Sequence, residues 1–101
     1  MHLIQILLPT HDNDRRLFDD RTLGAIHAEL AARFGGLTAY SRAPAHGTWA
    51  FDGGSAKDDI VVVEVMTDTL DREWWRTFRA RLEKDLRQQR IIVRAHEIEI
   101  I

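Results

Sequence analysis

The stretch Phe34-Gly35-Gly36-Leu37-Thr38-Ala39-Tyr40 constrains the fold more than any other part of the chain. Leu23, Ile26, Leu30 and Phe34 precede it at helical spacing and form one apolar stripe. A glycine pair follows the last of them. Glycine has no Cβ to clash in the left-handed conformation that stops a helix. Leu37-Thr38-Ala39-Tyr40 then favours extended backbone. A helix that turns into a strand within two residues must fold back on the sheet that the strand joins.

The rest of the chain is read around that corner. Residues 2–8 are a short apolar run closed by Pro9, which reads as a buried strand with Ile4, Ile6 and Leu8 on one face and Leu3, Gln5 and Leu7 on the other. Thr10 to Asp14 is a turn-rich loop, and Asp14 or Asp20 caps the first helix. Gly24 falls inside that helix, where close packing on the sheet would explain it. The second strand spans 37–43, the segment 43–47 is a loop or bulge, and extended character returns at 48–51. Asp52 to Asp58 marks a hairpin tip. Residues 59–67 are the strongest strand signal and are apolar on both faces. Asp68 or Thr69 caps a second helix with Leu70, Trp74, Phe78, Leu82 and Leu86 at intervals of four, Trp75 beside them, and a Glu83–Arg87 pair. A last strand covers 91–100, where the apolar alternation changes phase and calls for a bulge or for burial of both faces.

The order β-α-β-β-α-β over 1–101, with short connections and handed crossovers, is that of a single ferredoxin-like α+β sandwich. Its antiparallel sheet runs 4-1-3-2, with two helices on one face. A length of 101 residues suits one domain that buries roughly 60–70% of its unfolded surface. A formal net charge of −2 steers the chain toward neither nucleic acid nor an acidic membrane. Strands one and three also lack the aromatics that a sheet needs to stack RNA bases. The arginines at 72–94 are interleaved with Asp71, Glu73, Glu83 and Asp85, as on a solvated helix face. Without cysteine there are no disulfides, thiolate metal sites or cysteine nucleophiles, which fits a reducing compartment. The N-terminus lacks the basic start and cleavage site of a signal peptide, and no apolar run approaches the roughly 20 residues of a membrane span. A cytoplasmic protein is the expectation.

Leu7-Leu8-Pro9 with Asp12-Asn13-Asp14, Phe34-Gly35-Gly36-Leu37-Thr38, Gly47-Thr48-Trp49 and the Val-rich third strand resemble small, uncharacterised bacterial ferredoxin-like proteins, related in fold to the dimeric α+β barrels. That resemblance implies a homodimer in which two sheets pack by their open faces. It carries over no catalytic residue and no cofactor.

Strand parity locates the candidate site. Gln5, Glu64, Arg94 and His96 fall on the face the helices leave open, among apolar neighbours, with Gln5 on the strand between the other two. Buried polar groups must find partners or cost roughly 1–3 kcal/mol each. Tyr40, Arg42 and Trp49 border this face from the edge strand. One reading is a small-molecule cleft in which Glu64 or His96 moves a proton and Arg94 holds an anionic group. The same groups also suit a hydrogen-bonded dimer interface without a ligand. The leading expectation is a dimeric domain that self-associates around a small organic ligand. The alternative is a cofactor-independent barrel enzyme of oxygenase or isomerase type. His11, Asp12 and Asp14 form a further cluster with metal-ligand chemistry, but their spacing matches no metal motif and reads better as a turn and helix cap.

Overall fold

A computed structural model describes residues 1–51 and 54–101, with the side chains of 41–47, 49–51 and 54–58 left aside. The elements are β1 (His2–Pro9), α1 (Asp20–Phe34), β2 (Thr38–Phe51), β3 (Gly54–Thr67), α2 (Arg72–Asp85) and β4 (Ile92–Glu97). They form one four-stranded sheet in the order β2-β3-β1-β4, every neighbour antiparallel. This is the expected ferredoxin-like sandwich, including its strand order.

Alternation in β1 and β3 makes the core. Ile4 faces Val65, Ile6 faces Val63 and Leu8 faces Val61 across the ladder. All six are buried, and Ile26 and Leu30 of α1 with Trp75, Phe78 and Leu82 of α2 close over them. Four rings tie the helices together at one end. Phe34 stacks on Trp75 and Trp74 on Phe78, at centroid distances of 5.1 and 5.0 Å, and the remaining contacts are edge to face. Phe34 reaches this cluster because the chain leaves α1 directly behind it. Gly35 adopts φ 80°, and its N–H bonds the Ala31 carbonyl at 2.9 Å.

Several local expectations shift. Asp19, not Asp14 or Asp20, caps α1 by accepting the Thr22 N–H at 2.7 Å. That bond lowers the Asp19 carboxyl below its ordinary value. Asp71, not Asp68 or Thr69, caps α2 by accepting the Trp74 N–H at 3.1 Å. Gly24 is not a close-packing site, since a Cβ there would meet nothing within 4 Å. Glu83 turns from Arg87 to the backbone N–H of Ile91, at 2.8 Å, and its other oxygen lies 3.9 Å from Arg79. β2 runs through the segment expected as a loop or bulge and carries its register shift there, between Tyr40 opposite Val62 and Ala45 opposite Ile60. Phe51 pairs with Gly54, which shortens the hairpin connection to residues 52–53; these two lie outside the described residues. β4 ends at Glu97, so the change of phase falls beyond the strand, although the Ile98 N–H still reaches the Met1 carbonyl at 3.0 Å.

Candidate functional site

Both helices pack on the same side of the sheet, against Ile4, Ile6, Val63 and Val65. The opposite side presents Leu3, Gln5 and Leu7 from β1, Val62, Glu64 and Met66 from β3, and Ile92, Arg94 and His96 from β4. In the single chain these residues are half-buried or exposed, with Met66 at 51%.

Register brings the polar groups of this side together. Gln5 lies directly opposite Glu64 on one flank and Arg94 on the other. Its amide serves both. Gln5 Nε2 donates to Glu64 Oε2 at 2.7 Å, and Gln5 Oε1 accepts from Arg94 Nε at 2.8 Å. Gln5 is suited to this position because its side chain carries both a donor and an acceptor. Tyr40 completes the row. It stands opposite Val62, one rung from Glu64, and its hydroxyl donates to Glu64 Oε1 at 3.2 Å. A belt Tyr40–Glu64–Gln5–Arg94 therefore crosses all four strands. Both oxygens of Glu64 are engaged, and the bond and negative charge it offers push the Tyr40 phenol above its ordinary value.

Of the residues expected at this site, Gln5, Tyr40, Glu64 and Arg94 meet in the belt. His96 shares their face but lies one rung away, opposite Leu3, and its ring has no hydrogen-bond partner among the described residues. The side chains of Arg42 and Trp49 lie outside the described set. Parity alone placed Tyr40 at the border. Its bond to Glu64 depends on the β2 register, which the irregularity after residue 40 hides from sequence.

The loop with His11, Asp12 and Asp14 is built on other interactions. Asp12 Oδ1 accepts the N–H groups of Asp14 and Arg16, at 2.8 and 2.9 Å, and His11 Nδ1 lies 2.6 Å from the Thr10 hydroxyl. Among the described residues no three His, Cys, Asp or Glu side chains gather closely enough to hold a metal ion. Likewise, among them no helix is long and apolar enough to cross a membrane.

The architecture and the belt define a small α+β sandwich with a polar row on its uncovered sheet. No family model matches the chain. No curated protein matches it in sequence. Among solved structures it is similar to a phage SAM lyase in complex with S-methyl-5'-thioadenosine, with a TM-score of 0.63 and 15% sequence identity. The match covers 95% of this chain and 80% of the lyase chain. At that identity the likeness speaks for the fold.

Proposed function

We propose that the open sheet face binds a small organic molecule and that a second copy of the chain closes over it in a homodimer, in the cytoplasm. The observation that carries this reading is the belt. Four polar side chains form a continuous hydrogen-bonded row on a surface supplied, apart from His96, by apolar residues such as Leu3, Leu7, Val62, Met66 and Ile92. Apolar surroundings give a ligand burial, and a few convergent polar groups orient it. Arg94 keeps guanidinium donors beyond the one spent on Gln5, so an anionic or carbonyl group belongs at the β4 end. Glu64 and Tyr40 supply an acceptor and a hydroxyl toward β2.

The same fold holds S-methyl-5'-thioadenosine in the phage lyase, which makes that nucleoside the first probe. Calorimetric titration with it, and with a panel of small acids and aromatics, tests the proposal. Binding that weakens at least tenfold in Glu64→Ala and in Arg94→Ala supports it. No binding by any member of the panel overturns it. Sedimentation tests the dimer, with a mass of about twice the 11.7 kDa of one chain expected.

A cofactor-independent enzyme is the second reading, favoured by the protonated Tyr40 hydroxyl beside the Glu64 carboxylate. Such a pair can donate a proton and accept one. Turnover of a bound panel member that disappears in Tyr40→Phe would favour it over binding alone.

A further inference from the structure

On the other side of the sheet, a second cleft opens between α2 and β4. Ile4, Trp75 and Val93 form its apolar floor, and Arg72, Arg76 and Arg79 rise from the helix along one wall. Its volume is about 200 Å³. The spacing explains the grouping, since residues four and three apart share one helix face. Glu73, between Arg72 and Arg76, and Glu83, one turn past Arg79, do not line the cleft. They reach it only through ion pairs, the exposed Glu73 with Arg76 at 3.3 Å and the half-buried Glu83 with Arg79 at 3.9 Å. Arg72 has no ion-pair partner among the described residues. Arg94 also borders the cleft, but its Nε is turned to Gln5 across the sheet.

β4 shows why the cleft exists. Ile91 is buried and Val93 half-buried, yet Ala95, on the same side and directly opposite the fully buried Ile4, is exposed. The helix covers the start of β4 and leaves its end open, and the arginines overhang the gap.

We propose that this cleft binds a small organic anion, with the apolar or aromatic body on the Trp75–Val93 floor and a phosphate or carboxylate group held by Arg72, Arg76 and Arg79. Guanidinium forks match such groups in both charge and geometry. The volume lies below the roughly 300 Å³ at which drug-sized pockets begin, and it suits a single-ring molecule. This site lies on the other side of the sheet from the belt; Arg94 borders both, but the anion is held by arginines that take no part in the belt.

The test uses phenyl phosphate, phenol, benzoate and inorganic phosphate as probes, with ¹H–¹⁵N NMR titration of the full chain. Phenyl phosphate or benzoate is expected to shift Trp75, Val93 and Ala95, at least tenfold more tightly than phenol or inorganic phosphate. The combined Arg72→Gln, Arg76→Gln, Arg79→Gln variant, all exposed positions, is expected to lose at least tenfold in affinity while its other resonances stay in place. Arg21→Gln, an exposed change on α1 away from this cleft, is expected to bind as the parent does. Equal binding of phenol, shifts centred elsewhere, unchanged affinity in the arginine variant, or no saturation by either organic anion overturns the proposal.

Discussion

Glu64 is the residue on which the open face turns. It accepts from Gln5 with one oxygen and from Tyr40 with the other. The chain contains a single tyrosine, so tyrosinate absorbance reports Tyr40 alone. In Glu64→Gln the phenol loses a charged acceptor, and its titration midpoint is expected to fall toward the ordinary value of about 10. In the parent the phenol is raised, so its bond to Glu64 contributes to stability below that ordinary value and is lost as pH rises through the raised one. Asp19 behaves in the opposite sense. Its carboxyl is lowered, so its cap contributes above the ordinary carboxylate value and is lost as pH falls through the lowered one. In the core, Leu30 is fully buried, and Leu30→Ala should cost about 2–5 kcal/mol in urea unfolding. Gln5, Glu64 and Arg94 could be placed together from sequence because strand parity and strand order suffice for neighbours on ladders that run without a register shift, as β1 does with β3 and β4. Tyr40 could not be joined to them, because its partner depends on register next to an irregularity.

At the scale of elements, Gly24 within α1 and Gly35 at its C-cap should respond with opposite sign. Gly35 sits at φ 80°, where a Cβ is strained, so Gly35→Ala should lose about 1–2 kcal/mol. Gly24 lies in the helix interior with open space around it, so Gly24→Ala should gain about 0.5–1 kcal/mol. Thermal or urea unfolding of the two variants checks the pair. The end of α1 was legible because glycine announces it. The end of α2 was not, because Arg87, at φ 53°, takes the left-handed turn without a glycine to mark it. Helix starts were blurred for a related reason. Asp19 and Asp20 have the same chemistry, as do Asp68 and Asp71, and only the amide each can reach decides which one caps. Asp71→Ala is expected to cost about 1 kcal/mol. Asp68→Ala should cost far less, since Asp71 and not Asp68 accepts the helix amide. The arginine wall escaped sequence reading because alternation with acids along the chain says nothing of where a helix overhangs its sheet.

For the whole molecule, the central question is what covers the sheet opposite the helices. Met66 is half-exposed there in the single chain, so Met66→Lys should leave the far-ultraviolet circular dichroism unchanged. If two copies pack by this face, the same change buries a charge against apolar groups, and the dimer dissociation constant should rise at least ~10-fold, or about 1.4 kcal/mol, by analytical ultracentrifugation. An unchanged sedimentation profile would mean that the copies do not meet there. The sandwich itself was legible as a whole because both faces of β1 and β3 are apolar and the connections between elements are short.

β1 is flanked by β3 and β4, whose residues are about 50 to 95 positions further along the chain. During synthesis the greasiest early segment must therefore wait for both of its neighbours. The corner at Phe34 can form while translation is under way, but the sheet is not complete until Ile92–Glu97 has left the ribosome. A pause before that point leaves β1 with one flank bare, available to whichever strand from another nascent chain arrives first.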